Sequence, residues 1–104
     1  MNGPELRVGR RVVAEMVRLA VVEVPGVLRL GRGGPRWRGW LFGSPVSVRL
    51  RDGKATVRIA FVARPAQSLV LLTSQVRLAV EGAVERLLGL EAAEVTVVVD
   101  GVGI

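Results

Sequence analysis

The chain contains no cysteine, no histidine and no tyrosine. Without cysteine it cannot form a disulfide bond or supply a thiolate nucleophile. Without cysteine or histidine it also lacks the usual ligands of zinc, copper and haem. The remaining candidates for chemistry are hydroxyls, carboxylates, arginines and a single lysine, Lys54. We therefore expect no enzymatic activity, no metal and no cofactor.

Long apolar runs are also missing. The longest stretch without a charged residue, residues 65–76, contains five polar residues and is too short to span a bilayer. The first residues, Met1 to Glu5, lack the charged region and apolar block of a signal peptide. We expect a cytoplasmic protein. Residues 1–104 are predicted to form a single domain, because a chain of 104 residues is long enough for one core and too short for two. Half of the residues are hydrophobic, so the chain should fold.

Acidic residues are few. Nine of them stand against fifteen lysines and arginines, which gives a net charge of +6. Such a charge favours anionic partners, namely nucleic acid, acidic protein or lipid headgroups. A general preference for arginine over lysine in the source proteome would give the same composition without any function.

Two segments have helical periodicity. In residues 10–22 the apolar residues on one side are Val12, Val13, Met16, Leu19 and Ala20. A longer helix is predicted to begin after an N-cap at Ser68 and to end at Gly89. Its apolar stripe consists of Leu69, Leu72, Val76, Ala79, Val80, Ala83, Val84 and Leu87. Both stripes should face a core.

Strand patterns lie between and after these helices. A short strand is predicted at Val27 to Leu30, and a last one at Val95 to Val99. Residues 45–62 alternate apolar and polar side chains around Asp52-Gly53, which is typical of a β-hairpin. A two-residue turn predicts three cross-strand pairs, Val46 with Ile59, Val48 with Val57 and Leu50 with Ala55.

These elements predict an α+β fold, in which two helices cover one face of a small mixed or antiparallel sheet of three or four strands. The order is helix, strand, hairpin, helix, strand.

Residues 31–45 form the irregular part of the chain, rich in glycine, arginine and tryptophan. We predict a long loop there. Within it, arginines alternate with tryptophans in a pattern suited to unpaired bases and phosphates or to an anionic membrane interface. Alternatively, the aromatic side chains cover a sheet edge or a subunit contact. The candidate residues for polyanion or lipid contact are Arg32, Arg36, Trp37, Arg38 and Trp40.

Two further surfaces are candidates for interaction. The polar face of the hairpin carries Arg49, Arg51, Lys54 and Arg58, which could bind a polyanion or simply protect the sheet from aggregation. On the polar side of the long helix, Leu71 and Leu78 lie seven residues apart, with Gly82 nearby. These three residues predict a self-association surface, although a larger sheet or the long loop could cover them instead.

Three stretches together resemble the alkaline-shock protein family of envelope-stress proteins. The first is Glu23-Val24-Pro25-Gly26-Val27 at the exit from the first helix. The second is the long-helix register that ends in Gly89-Leu90, and the third is the closing stretch of residues 95–102. The resemblance covers most of the chain. Its departures are Leu88 where threonine is usual, Thr96 in place of asparagine, and Pro65-Ala66 near a usual Tyr-Gly pair.

The resemblance implies an abundant cytoplasmic protein that is not an enzyme, that self-associates, and that lies near the membrane through a separate anchor protein. Our first hypothesis is accordingly a non-catalytic envelope-stress scaffold or adaptor that acts as a homo-oligomer with a protein partner. The second is a nucleic-acid-binding module that uses the basic aromatic loop, residues 31–42.

Overall fold

The structure of the chain, a computed structural model, describes residues 9–31 and 44–103. Its elements follow the predicted order. They are α1 (Arg10–Val22), β1 (Val27–Leu30), β2 (Val46–Arg51), β3 (Lys54–Ala63), α2 (Leu69–Gly82), a π-helical turn (Ala83–Leu87) and β4 (Glu91–Val102). The predicted α+β class is confirmed.

Strand β3 lies at the centre of the four-stranded sheet. It pairs antiparallel with both β1 and β2 and parallel with β4, so the sheet is mixed. Strands β1 and β2 lie end to end on the same side of β3. The backbone of Ala60 shows this, because its N–H donates to the carbonyl of Pro45 (2.8 Å) while its own carbonyl accepts from the N–H of Gly31 (3.1 Å). The N–H and C=O of one strand residue point to the same side.

The hairpin has the predicted register. Val46 pairs with Ile59, Val48 with Val57 and Leu50 with Ala55. Asp52 and Gly53 both have positive φ, at 51° and 74°, as a two-residue type I′ turn requires.

Both helices pack on the sheet face that carries the alternating apolar side chains of β2 and β3. Phe61, Ile59 and Leu72 are the largest fully buried side chains, and burial of each contributes about 1.5–3 kcal/mol. The core is otherwise built mainly from valine and alanine. Its buried members are Val13, Val17, Val21, Val24, Val27, Val46, Val48, Ala55, Val57, Ile59, Phe61, Ala63, Leu72, Val76, Val80, Val84 and Val95.

The buried stripe of α1 differs from the predicted one. Val13, Val17 and Val21 are the residues that are fully buried, whereas Val12 and Leu19 are about half exposed. The predicted stripe therefore included two residues, Val12 and Leu19, that do not face the core. Residues spaced four apart point in nearly the same direction, and the valines at this spacing are the ones that contact the sheet.

Helix α2 begins as predicted, since the hydroxyl of Ser68 accepts a hydrogen bond from the N–H of Leu71 (3.4 Å). Its last turn deviates from α-helical geometry. The π-helical turn holds an extra residue, so the side chains that follow are rotated relative to a uniform helix. Leu87, predicted to face the core, is 66% exposed, and Leu88 packs against the core in its place.

Candidate functional site

The outer side of α2 exposes apolar side chains. Leu71 is 58% exposed and Leu78 is 66% exposed. The opposite side of the same helix packs into the core. At 100° per residue they point within about 20° of each other, and at a rise of about 1.5 Å per residue they are about 10 Å apart along the axis. The two leucines therefore share one exposed stripe.

Gly82 continues this stripe, as the sequence predicted, but its surface is partly occupied. A Cβ built on Gly82 would lie 2.7 Å from a terminal nitrogen of Arg86. The guanidinium of Arg86 therefore lies over the glycine. A partner that approached the helix backbone at Gly82 would have to displace a flexible side chain but no backbone atom. That these three residues mediate self-association stays a prediction.

The sheet face turned away from the helices is called the open face here. The cations predicted for it, Arg49, Arg51, Lys54 and Arg58, are all exposed there. Lys54 has an acidic neighbour, with its Nζ 3.9 Å from an Oε2 of Glu91. Since both side chains are more than half exposed, this pair is screened by water and salt.

A cavity of about 580 Å³ adjoins the outer side of β2. It reaches the N-terminal turn of α1 through Arg10 and Arg11, and the open face through Arg58. Ser44 and Ser47 also line it. The cavity lies beside an edge of the sheet and outside the core, and none of the described residues that line it is acidic.

Strand β4 carries negative charge, in contrast to the cations of β2 and β3 on the open face. Glu91, Glu94 and Asp100 lie on it, and no lysine or arginine does. None of these three acids was singled out from the sequence. Residues 91–102 contain three acids and no lysine or arginine, a feature that can be seen in the sequence. Only the pairing of β4 with β3 shows that these acids line one edge of the sheet.

The predicted polyanion or lipid contacts of the loop lie outside the described residues. These are Arg32, Arg36, Trp37, Arg38 and Trp40. Their role stays a prediction.

Within residues 9–31 and 44–103 no polar or charged side chain is buried, and no group of acidic side chains is arranged to hold a metal ion. In the same part of the chain no helix is both long and apolar enough to cross a membrane. The candidate functional features that can be described are therefore surfaces, namely the stripe on α2, the open face and the two edges of the sheet.

A model of one protein family matches residues 2–104, nearly the whole chain. The family is that of alkaline shock protein 23, described as having a cell envelope-related function. No curated protein and no solved structure matches the chain significantly.

The Gly26 turn, the long helix and the closing strand of this fold are the stretches that carried the sequence resemblance, and the match extends over all three. The chain belongs to the alkaline-shock protein family, whose function is related to the cell envelope.

Proposed function

We propose that this protein is a non-catalytic scaffold or adaptor of the envelope-stress response, located in the cytoplasm and acting through self-association and a protein partner near the membrane. The observation that carries the proposal is the exposed stripe of Leu71 and Leu78 on α2, in a chain whose family is cell envelope-related. Large apolar side chains aligned on one helix face are typical of contact surfaces.

The distribution of polar groups supports a role performed by surfaces. In the described residues the interior is occupied by aliphatic side chains and Phe61, with no buried polar or charged side chain. A binding or assembly function needs only the outside of such a fold. The proposed partner supplies the attachment to the membrane.

Sedimentation velocity over a range of protein concentrations tests the proposal. The wild-type protein should show an average sedimentation coefficient that rises with concentration. The double variant Leu71→Glu, Leu78→Glu should sediment as smaller species than the wild type at each concentration, because two buried carboxylates at a subunit contact would be strongly unfavourable.

A matched control is available on α1. Val12 and Leu19 are also seven residues apart and about half exposed. The double variant Val12→Glu, Leu19→Glu therefore makes the same change in charge and also removes two exposed apolar side chains. It should associate like the wild type. Equal association by all three proteins would reject the α2 stripe as the contact, and a wild-type protein that stays monomeric would reject self-association.

A further inference from the structure

The outer edge of β4 has no partner among the described residues. This strand has twelve residues, so it is about 40 Å long, and it pairs with β3 along one side only. Residues 94–99 pair with β3 in regular register between two irregularities. The strand is rich in valine and contains no proline or lysine, two residues that commonly prevent pairing at exposed edges. Its outer backbone groups are thus suited to accept another strand.

The outer edge of β2 likewise has no partner in the described part of the chain. Because the carbonyl of Pro45 points towards β3, the alternation of a strand directs the backbone groups of Val48 and Leu50 outward. The cavity of about 580 Å³ lies beside residues 45–48 of this edge. There is therefore space next to β2 for an additional strand, which would lie about 4.8 Å away.

The two edges carry opposite charges in matching positions. Side chains that pair across the sheet form rows on the open face. One row runs Arg49, Thr56, Glu94, and the adjacent row runs Arg51, Lys54, Glu91. Each row begins with an arginine at the β2 edge and ends with a glutamate at the β4 edge.

A second copy placed beside the first in the same orientation continues these rows. Its β2 then runs antiparallel to β4 of the first copy, since β4 is parallel to β3 and β2 is antiparallel to it. Glu94 of one copy lies next to Arg49 of the other, and Glu91 next to Arg51. Opposite charges that face each other across antiparallel strands stabilise the pair. In the same register Thr96 faces Ser47.

We propose that the protein associates with itself by adding β4 of one copy to β2 of another, which makes one sheet continuous across the two copies. The proposal rests on the self-association proposed above and adds a second contact to that of the α2 stripe. The contact is heterologous, because the two copies contribute different edges, so further copies can be added at the remaining free edges.

Two charge-reversal variants test the pairing by complementation. The first carries Glu91→Lys and Glu94→Lys on β4, and the second carries Arg49→Glu and Arg51→Glu on β2. Each variant alone should dissociate at least about tenfold more readily than the wild type in sedimentation velocity, because like charges now face each other. An equimolar mixture should associate again, since the lysines of one variant face the glutamates of the other.

A control variant makes the same change in net charge as the β4 variant, but at positions away from both edges. Glu15 and Glu23 are exposed on and directly after α1, and the variant Glu15→Lys, Glu23→Lys should associate like the wild type. Far-UV circular dichroism and the melting temperature of each variant establish that it is folded. If both edge variants associate as strongly as the wild type, or if mixing them restores nothing, edge pairing is wrong and the proposed scaffold function stands. A wild type that never associates overturns both.

Cross-linking gives a second measurement that does not depend on charge. The chain has no cysteine, so introduced cysteines are the only thiols present. Ser47 directs its backbone groups towards β3, and on the outer edge it therefore occupies a non-hydrogen-bonded position, where facing Cβ atoms are closest. Oxidation of a mixture of Ser47→Cys and Thr96→Cys should give a disulfide-linked dimer of the two variants.

Each single variant should remain largely uncross-linked, and a mixture of Ser47→Cys with Glu23→Cys, an exposed position directly after α1, serves as the control for random collision. Cross-linking of Thr96→Cys with itself would show that two β4 edges pair symmetrically, and it would overturn the proposed contact. Absence of the mixed dimer from a wild-type-like oligomer would overturn it as well.

Discussion

Gly26 and Leu72 share a space that leaves no room for a Cβ atom. A Cβ built on Gly26 would lie 2.6 Å from Cδ1 of Leu72, well inside van der Waals contact. Gly26 is buried in the turn between α1 and β1, and Leu72 is 99% buried in the first turns of α2. The glycine of the Glu23-Val24-Pro25-Gly26-Val27 stretch therefore allows the second helix to pack directly on this turn.

Replacement of Gly26 by alanine should lower the free energy of unfolding by about 1–3 kcal/mol, because the core must shift to accept the methyl group. Urea denaturation measures the change. The double variant Gly26→Ala, Leu72→Ala should be more stable than the sum of the two single effects predicts, since the shortened side chain makes room for the new methyl group. Strict additivity would show that the two residues do not compete for this space.

Adjacent leucines on α2 should respond very differently to truncation. Leu72→Ala should cost about 2–5 kcal/mol of unfolding free energy, because it leaves a cavity in the core. Leu71→Ala removes a side chain that is 58% exposed and should change stability by at most about 0.5 kcal/mol. Thermal or urea denaturation at low protein concentration makes the comparison. Equal losses of unfolding free energy would mean that Leu71 is as buried as Leu72, and would contradict the orientation of α2 described above.

The hairpin turn depends on Gly53. Its φ of 74° is in the left-handed region, so Gly53→Ala should reduce the free energy of unfolding by about 1 kcal/mol. Asp52 also has a positive φ, but asparagine tolerates this conformation well, so Asp52→Asn should lie within about 0.5 kcal/mol of the wild type. A Gly53→Ala protein of wild-type stability would argue against the type I′ turn.

Because of the π-helical turn, we expect two consecutive leucines to contribute differently to stability. Leu88→Ala should destabilise the protein by more than about 1 kcal/mol, because Leu88 packs against the core. Leu87→Ala should have little effect, since Leu87 is 66% exposed. A uniform α-helix through residue 87 would give the reverse order, so chemical denaturation of the two variants distinguishes the two geometries.

Local patterns predicted much of this fold correctly. The Asp52-Gly53 turn fixed the hairpin register, because a two-residue turn leaves only one pairing of the alternating apolar residues. Two helix ends could also be predicted from the sequence. Ser68 supplies the N-cap of α2, and Pro25 disfavours helix in the residue before it, just after α1. The predictions that were wrong concern orientation. Val12 and Leu87 were expected to be buried and are exposed, because the sheet contact of α1 and the extra residue of the π-helical turn set these directions.

The candidate surfaces were predicted unevenly. Leu71 and Leu78 could be recognised because they interrupt the polar side of a periodic pattern, and the cations of the hairpin follow from alternation. The rows that connect Arg49 with Glu94 could not be found in this way. These residues are 45 positions apart in the sequence, and only the parallel pairing of β4 with β3 aligns them.

The sequence by itself determined the type and order of the elements, the register of the hairpin and the family of the chain, because each of these depends on residues that are close together or on a pattern read along the chain. The tertiary structure decided which strand lies at the centre of the sheet, which charges share a row and which edges have no partner in its described part. Those relationships depend on pairing between distant segments, and the free energy of that pairing comes from burying one face of the whole sheet under both helices.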